Sequence, residues 1–137
     1  LNMGTPNYLI SAALTLIMAQ RLARKTCSEC RAIDENITPK LLNSIGFSPE
    51  QSSRAKIHKG TGCQECSGSG YKGRMGIYEI LEIDNELKAG ILSNLQQTEL
   101  NAIAKKNGFR TMQDMGQDLL LSGDLSFAEY ERVLQSN

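Results

Sequence analysis

The N-terminal part of the chain combines a helix-start signal with a long apolar run. Thr5-Pro6 fits a helix N-cap followed by proline at the first helical position, and the run to Arg24 is nearly apolar on every side of a helix. A helix that is apolar all round has to be buried. We therefore expect its packing partner to lie upstream of this segment, the alternative being that it forms the core of a small helical domain.

The central segment predicts short elements with proline at their starts. Thr38-Pro39 and Ser48-Pro49 both have a capping residue followed by proline, and Gly46 can end the first of these helices. Residues 56–59 are expected to be extended. The glycine-dense stretch 68–73 is too rich in glycine to form a helix.

A strand and then several helices are predicted for the C-terminal half. Residues 75–83 alternate as a strand does, with apolar side chains on one side at Met75, Ile77, Leu81 and Ile83. Asp84 is expected to cap a first helix, and Thr98 a second one that stops at Asn107-Gly108. The first helix carries an apolar stripe of Leu87, Ile91 and Leu95.

Two further helices are predicted from Thr or Ser followed three residues later by an acid, at Thr111 to Asp114 and at Ser126 to Glu129. The C-terminal half is then a small bundle of about four helices. The fold class is mainly α with a small β element.

The charge distribution argues against a long nucleic-acid track. The net charge is zero, but residues 1–74 carry 10 Lys and Arg against 5 Asp and Glu, and residues 75–137 carry 5 against 10. Aromatic residues make up 5% of the chain and Trp is absent, so stacking platforms for bases are missing. The uncharged run 8–20 is shorter than the ~20 residues that span a bilayer.

The four cysteines form two pairs of identical spacing, Cys27 with Cys30 and Cys63 with Cys66. A two-residue spacing lets both thiolates bind one tetrahedral ion, and two such pairs complete a four-sulfur shell that favours zinc. A closed shell leaves no open position for water, so this zinc is expected to be structural. Two disulfides or two separate redox motifs are the alternatives, and a reducing cytoplasm favours metal over disulfides.

Several segments together resemble one family, the bacterial type II secretion and type IV pilus extension ATPases. The segments that carry the resemblance are Leu1-Asn2-Met3-Gly4, Ala19-Gln20-Arg21-Leu22, the first cysteine pair, Gly62-Cys63-Gln64-Glu65-Cys66, and Gly70-Tyr71-Lys72-Gly73-Arg74-Met75-Gly76-Ile77-Tyr78-Glu79. The related retraction ATPases lack the four-cysteine insertion, which favours an assembly motor.

The resemblance implies an organisation, a location and partners. Residues 1–26 would be the last helix of a RecA-like motor domain, 27–73 a zinc-binding insertion, and 74–137 a C-terminal helical subdomain. Relatives are homo-hexamers on the cytoplasmic side of the inner membrane, so the expected partners are further subunits and an inner-membrane platform protein, with no nucleic acid. Zinc would be bound by this chain, and ATP with Mg²⁺ by the full-length parent only.

The motifs of a complete ATPase are not all present. No Gly-x-x-x-x-Gly-Lys-Ser/Thr loop occurs, and neither do the acidic segments that would hold Mg²⁺. We therefore expect no ATP hydrolysis by this chain alone.

Four basic residues are candidates for contacts. Arg74 lies in the segment that most resembles the family, so it either reaches a nucleotide phosphate in the hexamer or pairs with an acid such as Glu79 or Glu82. Arg21 and Arg24, three residues apart, are expected at an interface or a solvated edge. His58 is expected at the surface or supporting a metal ligand.

Two other functional classes compete with this interpretation. One is a zinc-dependent chaperone or thiol module, because the segment from Cys63 to Gly70 matches one Cys-x-x-Cys-x-Gly-x-Gly unit of heat-shock co-chaperones, although Cys30 lacks the following glycines. The other is a zinc-bearing nucleic-acid module, which the acidic C-terminal half opposes.

Overall fold

The structure, a computed structural model, describes residues 4–135, so the Leu1-Asn2-Met3 part of the family resemblance lies outside the described residues. The helices are α1 (Asn7–Ala13), α2 (Pro39–Ser44), α3 (Pro49–Arg54), α4 (Asn85–Leu92), α5 (Gln97–Lys106), α6 (Met112–Ser122) and α7 (Phe127–Tyr130), followed by a π-helical turn (Glu131–Gln135). The strands are β1 (Leu16–Thr26), β2 (Arg31–Ile33), β3 (His58–Gly60) and β4 (Tyr71–Glu82).

The helix predicted from Thr5 to Arg24 is wrong beyond Ala13. Pro6 is the N-cap of α1, which ends after seven residues, and the apolar run continues as the long strand β1. An apolar run without clear periodicity fits a buried strand as well as a buried helix, so tertiary pairing decides between them. Here β1 pairs with β4 in a two-stranded sheet, so residues 16–26 of the segment predicted as the last helix of a RecA-like domain form a strand instead.

The described chain divides into two compact units. The first comprises residues 4–19 and 78–111, and the second comprises residues 20–77 and 112–135. Both β1 and β4 continue from one unit into the other. The three-part division into 1–26, 27–73 and 74–137 stays a prediction.

The first unit is built on α1, α4 and α5. Asp84 accepts a hydrogen bond from the Leu87 backbone N–H and so caps α4, as predicted. Its buried core consists of Ile83, Leu87, Ile91 and Ala104. The helix α4 stops at Leu92, and Leu95 follows it with its side chain against Gly90. Gln96, two residues before the predicted Thr98, is the N-cap of α5.

The second unit holds the two small helices and the short antiparallel pair β2 and β3. Thr38 and Ser48 cap α2 and α3 as predicted, Ser48 with Gln51 in a capping box. The pairing places Arg31 opposite Gly60 and Ile33 opposite His58. The predicted strand 75–83 exists as β4 and begins earlier, at Tyr71 inside the glycine-dense stretch.

Apolar side chains are exposed along α1 and β1. The most exposed are Tyr8, Leu9, Leu16, Ile17, Met18 and Leu22, with between 45% and 64% of their surface accessible. The described residues therefore do not bury this apolar run, which was expected to be buried. Within residues 4–135, no helix has both the length and the apolarity needed to cross a bilayer.

Candidate metal centre

The fold brings the two cysteine pairs together because strands flank each of them. The first pair connects β1 to β2, and the second pair lies between β3 and β4. Since β2 and β3 pair with each other, the residue after Cys30 lies opposite Gly60, close to the second pair. Two backbone hydrogen bonds add to this link, from Cys27 N–H to the Gly70 carbonyl (2.9 Å) and from Thr61 N–H to the Cys30 carbonyl (3.1 Å).

The four sulfur atoms form one cluster. Cys27 Sγ lies 3.7 Å from Cys63 Sγ, and Cys66 Sγ lies 3.8 Å from Cys30 Sγ and 3.7 Å from Cys63 Sγ. All four ligand atoms lie within 4.8 Å of one another. All four cysteines are free, and these separations far exceed the ~2.05 Å of a disulfide bond. The pairs therefore act together as a candidate site for one metal ion, and the disulfide alternative does not describe this structure.

Backbone N–H groups point at the sulfurs from the surrounding turns. Gly62 N–H donates to Cys30 Sγ, and both Cys63 N–H and Gly70 N–H donate to Cys66 Sγ, each at 3.2 Å. Desolvation raises the pKa of the Cys66 thiol, but the two backbone donors and the neighbouring thiols outweigh it and lower the pKa to about 6. The Cys66 sulfur is thus placed to carry negative charge before any ion is considered, whereas desolvation and the hydrogen bonds shared with the other thiols raise the pKa of Cys63 to about 11.

The turn after the second pair holds its shape through left-handed residues and hydrogen bonds to the cysteine backbones. Ser67 and Gly68 both have positive φ, 54° and 80°. Gly68 N–H donates to the Cys63 carbonyl (2.8 Å), and Ser69 Oγ donates to the Cys66 carbonyl (2.8 Å). This turn fixes the direction of both sulfurs of the second pair.

His58 is not one of the clustered ligands. It lies half-buried on β3, and its Nδ1 atom is buried and has no hydrogen-bond partner among the described residues. A Cβ added to Gly123 would lie 3.0 Å from that nitrogen, so His58 packs against the loop after α6. The structure therefore places His58 away from direct metal binding.

Arg74 lies exposed on β4. None of the hydrogen bonds or ion pairs among residues 4–135 involves its guanidinium, so the predicted alternative of a salt bridge to Glu79 or Glu82 is not formed there. Arg74 lines a cavity of about 500 Å³ together with Leu22, Ala23, Arg24 and Arg132.

Arg24, expected at an interface or a solvated edge, has a buried carboxylate as its partner. Its Nε and Nη2 donate to Glu129 Oε1 at 3.0 and 2.7 Å, and its backbone N–H donates to Glu129 Oε2 at 2.8 Å. Arg132 donates to the same carboxylate through Nε and Nη2, at 2.7 and 2.8 Å. The Arg24 guanidinium also lies 4.2 Å from the centroid of the Tyr71 ring.

The Glu129 side chain is fully buried, with 0% of its surface exposed. The hydrogen bonds from Arg132 are the main cause of a lowered pKa; desolvation opposes them, the bonds from Arg24 add to them, and the pKa of Glu129 falls to about 2. Glu129 therefore remains a carboxylate at any ordinary pH and holds two guanidinium groups in place.

Sequence reasoning missed the role of Glu129 because its position suited a capping box. The cap itself exists, since Ser126 Oγ accepts a hydrogen bond from Glu129 N–H. The carboxylate, however, bonds two arginines, and Arg24 is 105 positions away in the sequence. The spacing of residues along the sequence cannot reveal a pair that lies so far apart. Arg21 likewise has a partner, the carbonyl oxygen of Val133.

Comparison with known proteins gives a consistent picture over nearly the whole chain. The family model described as type II/IV secretion system protein matches residues 1–132. A type IV pilus assembly ATPase of Thermus thermophilus is 35% identical over 127 residues, which is 93% of this chain and 14% of that protein. One from Pseudomonas aeruginosa is 36% identical and covers 97% of this chain and 23% of that protein.

A putative type II secretion system protein E of Escherichia coli is 34% identical over 140 residues, covering 96% of this chain and 26% of that protein. The chain therefore spans between about one seventh and one quarter of the length of these three relatives.

Proposed function

Because the chain belongs to the family of type II/IV secretion system proteins, we propose that it forms the C-terminal, zinc-binding part of an ATPase that drives pilus assembly or type II secretion. The observation that carries this proposal is the match over residues 1–132, within which the four-thiol cluster is formed. The names of the relatives cover both roles, pilus assembly and type II secretion. We therefore propose a role in one of these two related systems.

Zinc is the ion that we propose for the cluster. A regular tetrahedron with Zn–S bonds of about 2.3 Å has sulfur–sulfur edges of about 3.8 Å. Three of the six edges in this structure measure 3.7, 3.8 and 3.7 Å and the other three are within 4.8 Å, so the sulfurs of Cys27, Cys30, Cys63 and Cys66 enclose a space of about the size that one zinc ion needs. Bound there, zinc would supply a structural cross-link, since four protein sulfurs leave no position for a reacting water.

The work of hydrolysis would belong to other parts of the longer protein. This chain has no phosphate-binding loop with its lysine, so ATP and Mg²⁺ would be held outside it. We place that protein in the cytoplasm at the inner membrane, as a homo-hexamer that meets a platform protein. The exposed apolar residues of α1 and β1, such as Leu16 and Met18, support burial against a further part of the same protein.

Arg74 is the residue that we propose to contact a nucleotide phosphate in the assembled hexamer. Its guanidinium is exposed and has no carboxylate partner among residues 4–135, and it lies at a cavity with two further arginines. A planar guanidinium donates two parallel hydrogen bonds to a phosphate, which is how arginines act at the active sites of many nucleotide hydrolases.

A chimeric motor tests the proposal. Residues 1–137 would replace the matching segment of the Pseudomonas aeruginosa pilus assembly ATPase, and ATP hydrolysis, hexamer formation and surface pili would be measured. We expect activity with one zinc per subunit. The matched control is the same chimera carrying Cys27→Ser and Cys30→Ser, which should lose the zinc and the pili. A folded, zinc-loaded hexamer without ATP hydrolysis would contradict the proposal.

A further inference from the structure

We propose that Asn107 is a site of spontaneous deamidation, and that its conversion to a carboxylate breaks a contact between α4 and α5 in the first unit. Asn107-Gly108 is the one place in the sequence where an asparagine precedes a glycine. Both residues are exposed. A Cβ added to Gly108 would have no atom within 4 Å, so the space beside this glycine is open.

The reaction needs no reagent besides water. The Gly108 backbone nitrogen attacks Cγ of Asn107, the N–Cγ bond forms, the Cγ–Nδ2 bond breaks, and ammonia leaves with the proton that the backbone nitrogen gives up. Water then opens the resulting succinimide ring at either of its carbonyl groups, which gives aspartate or isoaspartate. Glycine favours ring closure because it has no Cβ to obstruct the attack. In sum, one water is consumed and one ammonia is released, without oxidation or reduction.

The Asn107 amide bridges the two helices. Its Nδ2 atom donates to Asp84 Oδ2 at 2.8 Å and to Glu86 Oε2 at 3.1 Å. Asp84 is the N-cap of α4 and Glu86 lies in its first turn, whereas Asn107 is the C-cap of α5. The amide therefore links the start of one helix to the end of the other through two carboxylates.

The backbone at the end of α5 is held as well. Gly108 N–H donates to the Lys105 carbonyl at 3.1 Å, and Phe109 N–H donates to the Ala104 carbonyl at 3.0 Å. With a φ of +96° at Gly108, these two bonds form a Schellman motif. The Gly108 nitrogen cannot attack while it is held in this turn. Ring closure therefore requires the end of α5 and the amide bridge to open first, so the fold controls the rate.

The product cannot remake the bridge. A carboxylate at position 107 has no N–H to donate, and it adds a negative charge beside Asp84 and Glu86. It also lies at the C-terminal end of α5, where the helix dipole disfavours negative charge. Isoaspartate in addition inserts a methylene into the backbone and disrupts the turn at Gly108. Because the ammonia is lost, the contact between α4 and α5 is weakened permanently.

The first test is prolonged incubation of the intact, zinc-loaded chain at neutral pH, followed by digestion at acidic pH and peptide mass spectrometry. Asn107 should show the small mass increase of an amide replaced by a carboxylate, and part of the product should be isoaspartate. Asn101, exposed on the same helix and followed by Ala102, is the internal reference and should convert far more slowly. An unchanged Asn107, or equal conversion of Asn101, would overturn the proposal.

Two variants test whether the bridge controls the rate. Glu86→Ala removes one acceptor of the Asn107 amide, so deamidation should become about 5-fold faster, the effect expected from one net hydrogen bond. Glu82 is the matched control, because it is exposed and lines the same cavity of about 250 Å³ as Asn107 but is not among the described acceptors of its amide. Glu82→Ala should change the rate little. Equal acceleration by both variants would show that nearby charge, and not the bridge, restrains the reaction.

Asn107→Asp reports on the product without prolonged incubation. It should be less stable to chemical denaturation than Asn107→Ala, which loses the same hydrogen bonds without adding a charge. Added salt should narrow the difference between the two variants, because it screens exposed charges. An Asn107→Asp variant as stable as the wild type would show that deamidation leaves the contact between α4 and α5 intact, against the proposal.

Discussion

Gly60 and Gly70 approach each other so closely that neither position has room for a side chain. A Cβ on Gly60 would lie 2.0 Å from the carbonyl oxygen of Gly70, and one on Gly70 would lie 2.6 Å from the carbonyl oxygen of Gly60. Gly70 in turn accepts a hydrogen bond from Cys27 N–H and donates one to Cys66 Sγ. The contact therefore ties the end of β3 to both cysteine pairs.

Gly60→Ala should damage the metal centre. The added methyl meets backbone atoms that cannot rotate away, and overpacking of this kind costs about 1–3 kcal/mol. We expect the variant to release zinc to a chromogenic chelator at least several times faster than the wild type, with a lower melting temperature.

Gly68→Ala is the control for that experiment. Gly68 also lies in the turn after the second cysteine pair and has a φ of +80°, but a Cβ there would have no atom within 4 Å. It should show only the backbone penalty, about 1–2 kcal/mol, and slower zinc release than Gly60→Ala. Equal release from both variants would mean that the close approach of Gly60 and Gly70 is unimportant.

The Glu129→Gln variant should have a lower free energy of unfolding than the wild type at neutral pH. In acid the two proteins should be about equally stable. The pKa of Glu129 is about 2, against 4.5 for an ordinary glutamate, so the carboxylate stabilises the fold above pH 4.5 and loses this effect as the pH falls towards 2. The shift corresponds to about 3 kcal/mol. The measurement is the difference in the free energy of unfolding between the two proteins from pH 7 to pH 2.

That comparison also controls for the metal. Thiols regain protons in acid and release zinc, but this affects wild type and variant alike, so it cancels in the difference. A difference that stays constant from pH 7 to pH 2 would show that the Arg24–Glu129–Arg132 group contributes no pH-dependent stability.

Two tyrosines in the second unit should respond in opposite ways to loss of the hydroxyl. The Tyr130 hydroxyl is buried and has no hydrogen-bond partner among the described residues, whereas the Tyr71 hydroxyl lies 3.0 Å from Ser126 Oγ. Tyr130→Phe should therefore be neutral or stabilising. Tyr71→Phe should cost about 1 kcal/mol. Chemical denaturation of both variants checks this, and a larger loss for Tyr130→Phe would reverse the assignment.

The clustering of the four cysteines could be predicted from the sequence because its signal is local. The two-residue spacing within each cysteine pair identifies the four candidate ligands, whatever sequence lies between the pairs. The caps at Thr38, Ser48 and Asp84 were predictable for the same reason, since each bonds a backbone N–H three residues later.

The strand β1 and the role of Glu129 could not be predicted, because both depend on distant partners. An apolar run takes the strand conformation when a second strand is available, here β4, more than forty residues away in sequence. The role of the Glu129 carboxylate depends on hydrogen bonds from arginines in two different elements. Sequence spacing carries no information about either pairing.

Cys66→Ser should unfold residues 27–73, the predicted zinc-binding insertion, and leave the helices α4 and α5 in place. Cys66 Sγ accepts two backbone hydrogen bonds and has two sulfur neighbours, so its loss removes a ligand and leaves three thiols that hold zinc poorly. The core of the first unit, with Leu87 and Ile91, includes no cysteine and has its own cap at Asp84. Amide hydrogen exchange followed by mass spectrometry should show lost protection in residues 27–70 and retained protection in α4 and α5. Ser28→Ala, an exposed change inside the first cysteine pair, is the control and should keep both. Loss of protection throughout α4 and α5 in Cys66→Ser would show that the helices depend on the metal for their folding.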